Sequence, residues 1–236
     1  MATDGSDVRR LTTGLGLDIK PSWSPDGEQL AFRSVRDGQD EIYLMRADGT
    51  CQHNLTDDPG DDRSPAWSPD GRAIAFDHFF SGRFQDVALI DVGGGGLRRL
   101  TTGSAEYPAW SPDGSQIAFA SARDGDYDVY VINVDGSGER RLTTNNAYDM
   151  YPAWSPDGAW IAYKSDLEAA DLEIHVMRAD GSDDRRLTTD DQNDRFPAWS
   201  LDGRLAWSRD GAIVVVDSPD GPPIEIGRGQ FPAWRP

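Results

Sequence analysis

The stretch Tyr151-Pro152-Ala153-Trp154-Ser155-Pro156-Asp157-Gly158 recurs along the chain with little change. It stands as Pro21-Ser22-Trp23-Ser24-Pro25-Asp26-Gly27 and again at Pro65 to Gly71, Pro108 to Gly114 and Pro197 to Gly203. A clipped copy follows at Phe231-Pro232-Ala233-Trp234-Arg235-Pro236. The motif tryptophans Trp23, Trp67, Trp110, Trp154, Trp199 and Trp234 are spaced by 44, 43, 44, 45 and 35 residues. A period of about 40 to 50 residues is that of propeller blades, units that cannot bury their apolar faces alone and must stack.

Within each repeat the residues predict four antiparallel strands. The Pro-Ala-Trp segment is the first, and Ser-Pro-Asp-Gly after it fits a type I turn. A short apolar strand follows, as in Ala73-Ile74-Ala75-Phe76 and Gln116-Ile117-Ala118-Phe119. The third strand is β-branched and aromatic, as in Asp128-Val129-Tyr130-Val131-Ile132, a composition suited to a half-buried pleated surface. Asp48-Gly49, Asp135-Gly136, Asp180-Gly181 and Asp220-Gly221 then mark hairpins into a fourth strand carrying Arg-Arg pairs, where charge protects an outer edge.

This phrase, Leu-Thr, a loop, Pro-x-Trp-Ser-Pro-Asp-Gly, Ile-Ala-Phe and then Asp-Ile-Tyr-Val-Met, resembles the WD40-like (PD40) repeats of TolB-like β-propellers. The resemblance covers nearly the whole chain. It implies an all-β propeller of four-stranded antiparallel blades and a non-enzymatic, protein-binding role in the cell envelope, periplasmic where the chain is processed.

The expected organisation is one domain over 1–236, with repeats near 18–57, 62–102, 105–144, 149–189 and 194–228. Segments 8–13 and 231–234 read as stray end strands, a fourth and a first strand respectively. The ring is therefore either five-bladed or six-bladed with an incomplete blade, and the reading favours the latter.

Composition narrows the partners. With a formal net charge of −18, the chain lacks the clustered Lys and Arg that phosphate backbones require, which argues against nucleic acid and against anionic membrane surfaces. No run approaches the ~18 apolar residues of a membrane span. The N-terminal residues Met1 to Asp7 lack a secretory leader's features, so no compartment is assigned. The single Cys51 rules out an internal disulfide framework.

Departures from the repeat are the candidate sites. Asp18, Asp62, Asp149 and Asp194 lie five residues before a motif Trp, and Glu106 lies one position later in its own repeat. Around a channel mouth they would form an acidic ring attractive to a protein or peptide partner with basic side chains. Alternatively, each Asp satisfies backbone donors of its own loop. Phe79, Phe80 and Phe84 cluster in one loop, either as a partner contact or folded back over the blade. Asp124-Gly125-Asp126-Tyr127-Asp128 alternates carboxylates but lacks the glycine and distal Glu of a calcium loop. No metal or cofactor is expected, calcium being the one ion left open.

His53, His78 and His175 fall at different places in their repeats, and no nucleophile signature such as Gly-x-Ser-x-Gly is present. The expected function is therefore a binding propeller. The alternatives are a propeller cut from a larger enzyme of the prolyl oligopeptidase type, or one that binds a cation or small ligand in its channel.

Overall fold

The computed structural model describes residues 6, 8–14, 16–80, 85–167, 171–217 and 221–236. Phe84, Asp220 and the start of the chain at 1–5 lie outside the described residues, as does 168–170 within the variable fourth-repeat loop. Five four-stranded antiparallel sheets stand in a ring, each meandering in sequence order from the axis outward. The first blade is typical, with strands Asp18–Trp23, Gln29–Ser34, Glu41–Arg46 and His53–Asn54. Its counterparts begin at Asp62, Ala105, Met150 and Asp194.

Alternation along the middle strands gives every blade two apolar faces. Ala31, Ile42 and Leu44 face the second blade and pack with Trp67, Ile74 and Phe76. Leu30, Phe32, Tyr43 and Met45 face the opposite way, against Trp23 and Leu11. The same interlayer recurs between later blades, with Ile117, Phe119 and Trp207 each at most 1% exposed. Burying both faces of every middle strand is the main source of stability in such a stack.

The repeated motif carries its own wiring. In the first copy the Gly27 amide donates to the Ser24 carbonyl at 2.9 Å, closing the expected turn. The Ser24 hydroxyl donates to Asp26 at 2.6 Å, and that carboxylate accepts the Glu28 amide at 3.0 Å. The turn glycine adopts a φ near +70° in the first four copies, a conformation few other residues tolerate. The Arg pairs of the outer strands do more than guard an edge. Arg98 donates to the Val134 carbonyl and Arg140 to that of Ala179, each at 2.8 Å and each in the next blade. Arg99, Arg141 and Arg186 bind Asp86, Asp128 and Glu173, buried at the start of their own third strands.

The two end segments share one station between the fifth blade and the first. Trp234 donates its indole N–H to the Ala198 carbonyl at 3.0 Å, as Trp110 does to Ala66 at 3.1 Å. At the other end Arg9 reaches the Ala47 carbonyl at 3.5 Å, the relation that Arg140 has with Ala179. Leu11 likewise lies against Gly49, where a Cβ would come within 2.9 Å of the Leu11 oxygen; Leu142 lies in the same way against Gly181. Segment 8–13 thus takes the place of a fourth strand and 231–234 that of a first strand, although neither is hydrogen-bonded into a sheet. Among the described residues, the sixth station holds no middle strands.

Candidate functional site

Each first strand contains a β-bulge at its Pro. In the first blade Ile19 pairs with Arg33 and Ser22 with Ala31, so Lys20 and Pro21 together oppose Phe32. The second, third, fourth and fifth blades repeat the irregularity. Proline has no N–H for the ladder and is tolerated in a strand at such a bulge. The residue before it takes a left-handed backbone in every copy. Lys20, Ser64, Tyr107, Tyr151, Phe196 and Phe231 have φ between 53° and 59°. A bulge of this kind re-aims a side chain, and here all six line one cavity at the ring axis together with their prolines.

The lining forms a closed circuit. Tyr107 and Tyr151 have ring centroids 4.2 Å apart, Tyr151 and Phe196 4.6 Å, and Phe196 and Phe231 4.1 Å. Lys20 completes it, with Nζ 4.3 Å from the Tyr107 centroid and 5.8 Å from that of Phe231. The same ammonium donates to the Ser64 hydroxyl at 2.7 Å. The cavity has a volume of about 140 Å³. The aromatic arc attracts the Lys20 ammonium through its ring faces.

Charge lies just behind this lining. Asp77 accepts the Tyr107 amide at 2.7 Å, while its second oxygen is buried without a hydrogen-bond partner. Burial raises the Asp77 carboxyl to about 7, with Lys20 opposing the shift and Glu106 adding to it. Burial also lowers Lys20, against the attraction of Asp77. The chain has two lysines, and the other, Lys164, is 5% exposed and likewise lowered by burial.

The carboxylates expected to ring the mouth are buried or paired within their own blades. Asp62, Asp149 and Asp194 have no solvent exposure. Each is bound inside its own blade, Asp62 to His78 at 2.6 Å, Asp149 to the Ser165 hydroxyl and Asp194 to Arg209 at 2.9 Å. Asp18 is held by Arg36 at 3.0 Å. Glu106 is part-buried, accepts the Tyr127 hydroxyl at 2.7 Å, and is the member of the set whose charge reaches Lys20. These acids therefore tie the start of the first strand to side chains at the end of the second strand or in the loop after it.

Phe79 and Phe80 are half-buried. Phe80 packs on the core between blades one and two beneath the Arg99 guanidinium, and Arg63 lies over Phe79. In the alternating acidic loop, Asp128 is paired with Arg141 at 2.6 Å and Asp124 accepts the Tyr130 hydroxyl. The motif tryptophans lie between blades and are structural.

The residue three before each motif Trp, not the one five before it, lines the cavity. The available signal was the proline itself. A Pro inside a strand demands a bulge, and the preceding residue is the one the bulge turns.

Comparison with known proteins agrees with this architecture. The family described as PD40, TolB beta propeller domain, matches residues 1–107 and 64–217. The chain belongs to the TolB β-propeller domain family. A "Tol-Pal system protein TolB" from Syntrophus aciditrophicus is 45% identical over 42 residues, 18% of this chain and 9% of that protein. Among solved structures, a TolB from Agrobacterium tumefaciens aligns with a TM-score of 0.85 at 25% identity, over 95% of this chain and 87% of that one. TolB from Acinetobacter baumannii aligns with a TM-score of 0.84 at 22% identity, over 99% of this chain and 61% of the other, a likeness of fold. The stretch shared with the curated TolB relative is thus about a tenth of that relative's length. Among the described residues of this TolB-family propeller, no helix is long and apolar enough to cross a membrane.

Proposed function

We propose that this propeller is a non-enzymatic binding module that seats a protein or peptide segment on its axial lining. The observation behind this reading is the circuit of Lys20, Tyr107, Tyr151, Phe196 and Phe231, which share one left-handed backbone conformation and line one cavity. At about 140 Å³ the cavity is smaller than the ~300 Å³ or more typical of small-molecule pockets. Rigid aromatic and proline surfaces suit a shallow seat for a partner's side chains, since aromatic anchors dominate protein interfaces. The name of the relative, a Tol-Pal system protein, supports membership of a protein assembly. The buried acids lend no preference for a basic partner, so recognition rests on the aromatic lining.

The three histidines stand in three different blades, each beside its own acceptor. His53 faces the Cys51 carbonyl, His78 the carboxylates Asp58 and Asp62, and His175 the carboxylate of Asp184.

Selection of displayed peptides on the purified chain, with counter-selection on Tyr151→Ala/Phe196→Ala, tests the proposal. Peptides bound by the parent and at least about tenfold weaker on the double variant are expected. Peptides that bind both forms equally would remove the axial lining from the function.

A further inference from the structure

We infer that Asp58, Asp62 and His78 form a site for one divalent transition-metal ion of the zinc–manganese class, set in the second blade away from the axial lining. The site arises from a break in the repeat. The second strand ends in Ser34, Ser121 and Ser165 in blades one, three and four, but in His78 in blade two. In blade four this serine simply donates to the first-strand carboxylate, Ser165 to Asp149. An imidazole at the same place brings a metal-ligating nitrogen to a carboxylate already buried there.

The donor atoms converge. His78 Nδ1 lies 2.6 Å from Asp62 Oδ1 and 3.7 Å from Asp58 Oδ2, and one ligand atom from each residue falls within 4.8 Å of the others. Nitrogen and oxygen ligands at 2.0–2.1 Å around a tetrahedral ion stand roughly 3.3 Å apart. The two observed separations bracket that value, so small side-chain rotations would admit an ion in place of the Nδ1 proton.

An independent observation points to a cation. Asp62 has no solvent exposure, and its Oδ2 is buried without a hydrogen-bond partner. The neighbouring Thr56 hydroxyl donates to Glu41 at 2.5 Å. A buried carboxylate oxygen with no donor is costly, and an ion held by both Asp62 oxygens would remove that cost.

The surroundings fix the imidazole. The Phe80 ring meets it edge-on with centroids 4.2 Å apart. From the other side the loop carrying Asp58 presses so close that a Cβ on Gly60 would lie 2.7 Å from His78 Cε1. Asp58 is 22% exposed and gives the ion a way in. A nitrogen ligand beside two carboxylates selects zinc or manganese over calcium and magnesium, which prefer all-oxygen shells.

The test is titration of the chelator-treated full chain with Zn²⁺, Mn²⁺ and, as a control, Ca²⁺, followed by calorimetry and native mass spectrometry. One equivalent of Zn²⁺ or Mn²⁺ is expected, bound at least about tenfold more weakly by His78→Ser and by Asp58→Asn. His78→Ser restores the residue found in three sister blades, so the fold should hold, and thermal melting verifies it. Asp58→Asn keeps the acceptor for the Gly60 amide while removing the charge. Co²⁺ should give visible ligand-field absorption that His78→Ser abolishes. No uptake by the parent, equal uptake by both variants, or Ca²⁺ binding that is as tight and independent of His78 would each overturn the proposal.

Discussion

Arg235 donates from Nε to the carbonyl oxygen of Gly27 at 3.1 Å, joining the last copy of the motif to the turn of the first blade. Between blades one and two the corresponding place is held by a proline, with Pro25 Cγ 3.3 Å from where a Cβ on Gly71 would lie. The closing contact is therefore a substituted version of the contact that runs around the ring. Arg235 also stacks over Trp23, 5.2 Å from its centroid.

Trp234 is the second part of this closure, with its indole bonded to Ala198 and its ring under Arg204. Trp234→Ala should cost about 2–3 kcal/mol, below the range for a wholly buried Trp because the ring is half-exposed. Denaturant titration gives the value. A loss under half a kcal/mol would mean the five blades hold together without the sixth station.

Asp77 predicts a pH dependence. Its folded pKa of about 7 lies above its ordinary 3.8, so the folded state holds the proton more tightly than the unfolded chain. Stability from this group is complete below about pH 4 and is lost as pH rises through 7, by an amount on the order of a few kcal/mol. Asp77→Asn should flatten that part of the profile and be the more stable form at pH 8. Melting curves of both proteins between pH 4 and 8 check this, and parallel profiles would show that Asp77 ionises normally.

Leu201 stands where the other four blades have the turn proline, and it is 73% exposed. The turn is otherwise intact, with the Gly203 amide donating to Ser200 at 3.1 Å. Leu201→Pro should stabilise the chain by about 0.4–1 kcal/mol, because the ring restricts the unfolded state at a position already suited to it. A rise in the denaturant midpoint with unchanged slope is the expected reading. A fall would show that the fifth-blade turn departs from its siblings.

The fold was legible in the sequence because each blade writes its turn, its alternation and its tryptophan in local residues. Ser24, Asp26 and Gly27 do the same work at 68, 70 and 71. Even the two end segments were readable from Leu11 and Trp234. The site was less legible because it depends on relations between blades. Nothing local to Asp62 or Asp149 says whether a carboxylate faces the axis or turns inward, and both turn inward to pair with His78 and Ser165. The circuit from Tyr107 to Phe231 joins residues more than a hundred positions apart. The pairing of Asp58 with His78 across twenty residues became visible only once the second strand was laid beside the first.

The left-handed residue before each axial proline separates two tasks that most binding sites mix. Lys, Ser, Tyr and Phe all occupy the same backbone conformation there, at a cost of roughly 1–3 kcal/mol per residue that the surrounding sheet absorbs. The scaffold thus depends little on which side chain it presents. One position per repeat supplies the side chains of the axis, so six substitutions would change the lining while the apolar faces of the middle strands stay as they are.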